Sequence, residues 1–429
     1  MIRLRRWLPL LVALAWVVLW AVAFRPAVGP AADTYRYAET SLGLLGESTA
    51  DAQSKAVAAY CSEQARWAAR QAAVDPMTMD DPPRLASRTR ACIAQHPAGL
   101  TPDEDPRYEA IFADRPGYPL LAAPLVAILG VNAGLAATSV LCTAIGGLLI
   151  YRLLREVGVP PHLAVAGQIA YYGSPIGWWG SYPLTEGPVM ALTVAALLGA
   201  WWLLRRRTAA GAALLAGALA VGATMRHSTM LLVAAALCAA TLLILVTSRQ
   251  HRHAGTWLLV GVSGAATVGI LAAAKLLGLS GAGETLQDKF TDHFTRPDVS
   301  DPWRRLAELN LNFWPHWMQE EMRSPWLLLG LAAGAWALLR HDRALAWLTL
   351  AVAGTGLATQ VAHPAASQGD RLYIALWLVP VVGIPVLLAS RARADRDVQP
   401  APSAAVDVPV TVGGSSLGAA GSPPPRPSC

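Results

Sequence analysis

The segment LTEGPVMALTVAALLGAWWLLRRR, residues 184–207, decides the fold of this chain. A polar Thr-Glu-Gly-Pro start is followed by an apolar run that ends at three consecutive arginines. A bilayer core roughly 30 Å thick is crossed by about 20 apolar residues, which the run 184–204 supplies. Because arginine clusters mark the cytoplasmic ends of such helices, the segment predicts a transmembrane helix with Glu186 at its extracytoplasmic end.

The composition of the whole chain indicates that lipid is its main solvent. Of its 429 residues, 54% are hydrophobic and only 14% are charged, whereas a typical globular chain is about 25% charged. In water such a chain would expose extensive apolar surface. This composition excludes a cytosolic enzyme, a nucleic-acid-binding protein and a disordered scaffold. The net charge of +6 therefore reports topology and not affinity for nucleic acid.

The apolar runs predict an all-α polytopic membrane protein with about ten transmembrane helices. They cover 7–24, 132–151, 162–178, 184–204, 209–224, 228–247, 256–278, 326–339, 344–361 and 372–390. With the N-terminus inside, nearly all arginine-rich ends fall in the cytoplasm. We interpret the first run as an uncleaved helix, a secretory signal being the alternative. The run 118–131 is short and contains two prolines, so we interpret it as a juxtamembrane helix; if it spans, the count is eleven.

This topology gives two large extracytoplasmic loops and short cytoplasmic ones. The predicted units are a first transmembrane helix (1–24), an extracytoplasmic loop with juxtamembrane helices (25–131), transmembrane helices (132–278), an extracytoplasmic loop with an interfacial helix (279–325), transmembrane helices (326–390) and a disordered cytoplasmic tail (391–429). The tail is rich in Pro, Ala, Ser and Gly and cannot bury a core. A nucleotide-binding domain has no room in the cytoplasm, so an activated donor would be a lipid.

Two cysteines and one carboxylate are notable in the first large loop. Cys61 and Cys92 lie where disulfides persist, and we predict that they are bridged, two free thiols being the alternative. Asp33 follows the first helix at the water boundary. Partial desolvation there can raise the pKa of a carboxylate towards that of a general base. The alternative is a solvated interfacial aspartate.

The end of the first loop and the start of the fourth span offer further polar candidates. Arg115-Pro-Gly-Tyr118 should form a turn at the membrane surface, where Arg115 can pair with a phosphate and Tyr118 can lie at headgroup level. A simple membrane anchor is the alternative. Glu186 follows Thr185, a candidate N-cap. Glu186 either lines an outer cavity or only favours the start of the helix.

Two arginines lie at outer ends of predicted spans, against the general arginine pattern. Arg226, followed by His227, is the only cation of a short outer turn, and an arginine at membrane depth usually has an anionic partner. We expect that partner to be Glu186 or a lipid phosphate. Arg371 begins the last span, with His363 before it and Tyr373 after it. It either forms a weak surface pair with Asp370 or holds a phosphate together with Arg226.

The second large loop contains a near-helical apolar pattern from Trp303 to Trp317. That spacing predicts an amphipathic helix on the outer leaflet. Membrane contact is its simpler role, and a lid over a site is the alternative.

The order of these features resembles the GT-C superfamily of integral-membrane glycosyltransferases, near its bacterial dolichyl-phosphate-mannose-type and aminoarabinose-type branches. The resemblance covers about residues 1–390 and is carried by Asp33-Thr34-Tyr35, Arg115–Pro124, Tyr151–Arg155, Thr185–Pro188 and Arg226. It implies a polyprenyl-phosphate-linked sugar as donor, an active site on the extracytoplasmic face of the cell membrane, and a hydroxyl of a cell-envelope glycan, lipid or protein as acceptor. Asp33 matches the family's acidic residue that acts on the acceptor.

We therefore expect Asp33 to be the general base of an inverting sugar transfer. The expected substrate-binding residues are Tyr35, Arg115, Tyr118, Glu186, Arg226, His227, His363, Arg371 and Tyr373. No metal ligands or cofactor are predicted. Because Thr34, and not a second acid, follows Asp33, dependence on a divalent metal stays open. The rival function is a transporter or lipid flippase, which intramembrane charges and repeats would favour; only Lys275 lies within an apolar run. A non-catalytic membrane partner is a third alternative.

Overall fold

The computed structural model describes residues 2–22, 30–74, 85–97, 99–100 and 105–398. These residues form α-helices and three short 3₁₀ helices, with no strand among them, so the predicted all-helical class is confirmed. The first six helices are α1 (Ile2–Val22), α2 (Ala32–Leu44), α3 (Thr49–Val74), α4 (Leu85–Gln95), α5 (Pro106–Ala113) and α6 (Gly117–Leu129). The others are α7 (Val131–Glu156), α8 (Pro161–Gly173), α9 (Pro175–Gly180), α10 (Glu186–Leu204), α11 (Thr208–Thr247), α12 (Ala254–Leu276), α13 (Ala282–Phe290), α14 (Pro302–Arg323), α15 (Trp326–His341), α16 (Arg343–Ala362) and α17 (Leu378–Val398).

Six segments of the described chain are long and apolar enough to cross a membrane, or seven if the bent pair α14 and α15 forms one span. They are Val131–Glu156, Glu186–Leu204, Thr208–Thr247, Ala254–Leu276, Arg343–Ala362 and Ile374–Ala392. Transmembrane helices are thus supported, and the count of ten stays a prediction. The apolar helix α6 has 13 residues, which gives a length of about 20 Å.

Helix α11 is broken where the sequence predicts an outer turn. Its 40 residues have non-helical backbone angles at Arg226 alone (φ −159°, ψ 84°). A Cβ atom on Gly222 would lie 2.6 Å from the sulfur of Met230, although a straight helix would separate residues eight apart by about 12 Å along its axis. The chain therefore bends sharply at Arg226, and the two halves of α11 pack together.

The predicted span 162–178 is not one helix. The chain forms α8 and α9, which are separated at Ser174, and the side chain of Ser174 accepts a hydrogen bond from the N–H of Ile176. The cause is Pro175, which lacks an N–H and disfavours helical angles in the residue before it.

The second large loop contains the predicted amphipathic helix. Helix α14 meets α15 at 90°, so it lies across the bundle axis that α15 follows. It exposes Trp303, Leu311 and Met322, and buries Leu306 and Phe313. That distribution suits a helix that lies along an interface.

The first large loop is also mostly helical, and a disulfide joins α3 to α4. Cys61 and Cys92 form this bond, and Cys61 is fully buried. Asn132 at the start of α7 donates hydrogen bonds to the carbonyl oxygen of Ala59 (2.9 Å) and to Ser62 Oγ (3.1 Å). The loop therefore packs on the transmembrane helices at α3.

The predicted start of the C-terminal tail, after Ser390, coincides with the boundary between the two compact units of the chain, but the first residues of the tail are helical. Helix α17 continues to Val398, whereas the tail was expected to be disordered from residue 391. Arginine and alanine are strong helix formers, and they make up five of the eight residues in the sequence RARADRDV that follows Ser390. The rest of the tail, 399–429, lies outside the described residues.

Close packing of α15 on α17 requires glycine on both helices. A Cβ atom on Gly383 would overlap the backbone of Gly334. We predict that Gly383→Ala lowers the free energy of unfolding by about 1–3 kcal/mol, the usual cost of overpacking. Thermal unfolding of the purified protein in detergent measures the change. The matched control is Gly354→Ala in α16, where a new Cβ atom meets nothing within 4 Å; equal destabilisation by both changes would contradict the close-contact argument.

Candidate functional site

A buried carboxylate, Glu186, is the centre of a charged group on the side of the bundle where α2–α6 and α13–α14 lie. Glu186 is the first residue of α10, where the helix dipole favours a negative charge. It is only 2% exposed. Its Oε1 atom accepts a hydrogen bond from Arg371 Nε at 2.7 Å and lies 3.4 Å from Arg226 Nη1. The two arginines neutralise a charge that would be very costly to bury alone.

Arg371 links this buried carboxylate to a more accessible one. Its Nη2 atom lies 3.3 Å from Asp33 Oδ2, and its Nη1 atom donates to Gln368 at 3.2 Å. Burial lowers the pKa of Arg371, but Glu186 and Asp33 outweigh that effect and hold the pKa above its usual value. The Asp33 side chain is 24% exposed. Of the two carboxylates, therefore, Asp33 is the one that a substrate can reach.

The break in α11 places Arg226 at the same point. The guanidinium of Arg226 contacts Glu186, and the Arg226 side chain as a whole is 21% exposed. The sequence predicts Glu186 or a lipid phosphate as its partner, and the structure supplies Glu186.

Arg115 and Tyr37 complete the group. Tyr37 is 2% exposed and lies four residues after Asp33 on α2, hence on the same helix face. Arg115 precedes α6, and the negative charges of Asp33 and Glu186 act on its guanidinium. Burial lowers its pKa, but Tyr37 and these carboxylates raise the pKa above its usual value. We name the five charged residues, Asp33, Arg115, Glu186, Arg226 and Arg371, the arginine–carboxylate cluster.

His363 adds a neutral ring beside this cluster. Burial lowers the pKa of His363 to about 4, and the positive charges of Lys289, Arg226 and Arg115 act in the same direction. The ring is therefore uncharged near pH 7 and can donate one hydrogen bond and accept another. Burial also lowers the pKa of Lys289.

The electrostatic balance of the cluster favours an anion. Three guanidinium groups face two carboxylates, one of which is sealed from solvent. Guanidinium groups bind phosphate strongly because their fork of N–H donors matches its oxygens. Within the described residues, no group of three or more His, Cys, Asp or Glu side chains is arranged to hold a metal ion.

Two of the expected substrate-binding tyrosines are buried among structural partners, and the ring of one of them, Tyr118, packs against the ring of Tyr37 with centroids 4.9 Å apart. Tyr35 is 2% exposed and points towards Gln53 and Leu100. It lies two residues after Asp33, and residues two apart on a helix lie on opposite faces. Tyr118 is fully buried, donates to the carbonyl oxygen of Leu135 at 3.0 Å and pairs with Ser139 Oγ at 2.8 Å. Tyr118 therefore fixes α6 on α7 and does not reach a headgroup.

Other expected residues also have structural partners. Tyr373 donates a hydrogen bond to Glu321 Oε1 on α14 at 2.9 Å. His227 lies near Asp114 and the backbone of Ser280, where the two large loops meet. Thr185 makes no capping hydrogen bond, because its own backbone is already helical.

The sequence analysis missed three contributors to the site. Tyr37 could have been found from its spacing of four from Asp33, once α2 was recognised as a helix. Gln368 accepts a hydrogen bond from Arg371, and no sequence pattern marks it as a site residue. Trp179 donates a 2.6 Å hydrogen bond to Asp370 and so holds the turn that carries Arg371; only the fold brings these two residues together.

Comparisons of the chain with protein-family models, curated proteins and solved structures give no match. The function must therefore be argued from the arginine–carboxylate cluster itself.

The buried charge of Glu186 gives a direct stability test. Glu186→Gln keeps the size of the side chain but leaves Arg226 and Arg371 without their shared counter-charge. Breaking a buried pair in this way typically costs about 3–5 kcal/mol, and we predict a loss of that order in thermal unfolding. The control is Glu320→Gln, whose exposed pair with Arg323 should contribute about 1 kcal/mol or less. Similar melting temperatures for the two variants would show that Glu186 does not hold the arginines together.

Proposed function

We propose that this protein is a membrane glycosyltransferase of the GT-C type. In this proposal it moves a sugar from a polyprenyl-phosphate donor to an acceptor hydroxyl of the cell envelope, with inversion at the anomeric carbon. The proposal combines the sequence resemblance with the chemistry of the arginine–carboxylate cluster.

The observation that carries the proposal is the pairing of one reachable carboxylate with a surplus of guanidinium groups. Asp33 is 24% exposed and is oriented by Arg371. The same Arg371 and its neighbour Arg226 are anchored by the sealed Glu186. A group-transfer site with a phosphate leaving group needs this combination: a base for the nucleophile and fixed positive charge for the departing oxygen.

The proposed reaction is a single displacement. The acceptor oxygen attacks the anomeric carbon, and its proton moves to Asp33. A new glycosidic C–O bond forms while the bond from the anomeric carbon to the phosphate oxygen breaks. The lipid phosphate leaves with the electron pair, and Arg226, Arg371 and Arg115 neutralise its charge. Because these donors are already fixed, little reorganisation is needed during the reaction.

Two neighbouring groups have secondary roles in this scheme. His363, neutral near pH 7, can hydrogen-bond a sugar hydroxyl without adding charge. Glu186 positions the arginines and does not act on the substrate, because it is almost completely buried.

The proposed topology has ten spans and cytoplasmic termini, which places the cluster on the extracytoplasmic side of the cell membrane. Three features support it. The six long apolar segments agree with predicted spans, α11 bends at Arg226, and α14 lies at 90° to α15. Helix α1, α8 with α9, and α15 supply the remaining crossings in this proposal.

The topology is tested with two single cysteines. An impermeant maleimide applied to intact cells should label Ser300→Cys in the second large loop and should spare Arg206→Cys until the membrane is opened. Both positions are exposed on the protein surface, so protection reports the membrane and not burial. Labelling of Arg206→Cys from outside would contradict the ten-span topology.

The chemistry is tested with Asp33→Asn and Arg226→Ala. Asn cannot accept a proton at neutral pH, and general-base catalysis contributes about 10²–10⁴-fold to a rate. We expect Asp33→Asn to lose that factor in turnover while donor binding persists. Arg226→Ala should weaken donor binding as well, because its charge meets the phosphate in both the ground and transition states. Membranes supplied with a radiolabelled polyprenyl-phosphate sugar over a concentration series measure both effects.

Matched controls come from the exposed pair Asp292 and Arg296 in the second loop. Asp292→Asn and Arg296→Ala change the same charges away from the cluster and should leave transfer intact. Excess donor should partly rescue Arg226→Ala and should not rescue Asp33→Asn. Full rescue of Asp33→Asn would mean that Asp33 serves binding and is not the base. Normal transfer by both cluster variants would overturn the proposed function.

A further inference from the structure

A second site lies on the other side of α2. A cavity of about 510 Å³ opens between α1, α2, α3 and α7, within the range of roughly 300–1,000 Å³ that is typical of ligand sites. Its wall is mostly apolar, with Val17 and Trp20 from α1 and a run of alanines from α7. We name it the α1–α7 groove.

The depth of the groove matches one leaflet of a bilayer. Its lining on α7 runs from Asn132 to Leu141, a rise of about 14 Å, which is close to half of the roughly 30 Å hydrocarbon core. Leu129 and Leu141 at its edges are 50% and 44% exposed. The groove is therefore open to lipid from the side and can receive a hydrocarbon chain directly from the membrane.

The polar end of the groove carries no net charge. Glu63 and Arg66 on α3 both line it and pair with each other at 3.4 Å. The side-chain amide of Asn132 already donates hydrogen bonds to Ala59 and Ser62 on α3. An anionic headgroup would meet a carboxylate there and an already paired arginine. A neutral, hydroxyl-rich headgroup suits this end, because Glu63 accepts and Arg66 donates hydrogen bonds.

Helix α2 is the wall between this groove and the arginine–carboxylate cluster. Thr34 and Tyr35 line the groove, whereas Asp33 and Tyr37 face the cluster. Because Asp33 precedes Thr34 directly, the groove passes within one residue of the proposed base at the first turn of α2.

We propose that the acceptor is a neutral, hydroxyl-bearing amphiphile whose hydrocarbon chain lies in the α1–α7 groove. This inference rests on the proposed function and specifies its acceptor. The amphiphile presents its hydroxyl over the start of α2, gives its proton to Asp33 and forms the glycosidic bond to the anomeric carbon. The donor's phosphate leaves on the opposite face of α2, towards Arg226 and Arg371.

Binding is tested without any sugar transfer. The purified full-length protein in nanodiscs is photolabelled with an alkyl glucoside that carries a diazirine in its chain, and with the alkyl phosphate of the same chain. The glucoside should label peptides of α1, α3 and α7 at lower concentration than the phosphate does. Ala136→Phe, which fills the groove, should reduce labelling about tenfold, which corresponds to about 1.4 kcal/mol of binding.

The controls separate groove filling from misfolding. Ile145→Phe adds an aromatic ring on the exposed face of α7 and should leave labelling unchanged. Ala137→Leu is a milder filling variant and should give a smaller loss if Ala136→Phe disturbs folding. In addition, Glu63→Gln leaves Arg66 unpaired and should shift labelling towards the phosphate probe. Equal labelling by both probes in the unaltered protein, or no loss in either filling variant, would overturn the proposal.

The same variants distinguish this proposal from the proposed function. With the alkyl glucoside as acceptor and a polyprenyl-phosphate sugar as donor, Ala136→Phe should raise KM for the glucoside and leave the KM for the donor unchanged. Transfer with unaltered kinetics in Ala136→Phe rejects the groove as the acceptor site but leaves the transferase intact. Labelling of the groove without transfer to any acceptor rejects the transferase and, with it, the acceptor assignment.

Discussion

The charged part of this protein depends on a single buried carboxylate. Glu186 is 2% exposed and shares one oxygen between Arg371 and Arg226. A carboxylate in that environment is tolerated only when it is paired, so the segments that supply its partners are held in place. These segments are the break in α11 and the turn before α17. Through Arg371 the constraint extends to Asp33 and the start of α2.

The two carboxylates of the cluster therefore have different roles because their environments differ. Glu186 is sealed and its Oε1 atom contacts two guanidinium groups, whereas Asp33 pairs with Arg371 and is 24% exposed. In enzymes with two acidic groups, environment and not residue type decides which group acts on the substrate. If the site is catalytic, the same reasoning assigns proton transfer to Asp33 and the orientation of the arginines to Glu186.

The sequence predicted the members of the cluster better than their contacts. Glu186, Arg226 and Arg371 were identified because each interrupts an apolar pattern, and lipid makes such interruptions costly. Their convergence across 185 residues could not be read from the pattern, which contains no distances. Helix register separates the two tyrosines of α2: Tyr37 shares the face of Asp33 and Tyr35 lies on the opposite face, and the sequence did not show this because the start of α2 at Ala32 fixes which face each one occupies. Pro175 marks the point at which the predicted span 162–178 divides into two helices. The apolar residues continue on both sides of Pro175, and for this reason a single helix was predicted.

The arginine–carboxylate cluster and the second large loop are held by different kinds of interaction. The cluster is fixed by buried charge. The second large loop is tied to the first by Arg107, which pairs with Glu284 and Asp298 where all three side chains are 39–50% exposed. Exposed ion pairs of this kind contribute about 0–1 kcal/mol each, and two further contacts join the loops: the backbone N–H of Ser280 donates to Asp114 at 2.6 Å, and the rings of Tyr108 and His293 lie 4.4 Å apart. In the proposed glycosyltransferase, the second large loop would be the part that moves to admit a bulky headgroup, while the buried ion pairs keep the arginines in position.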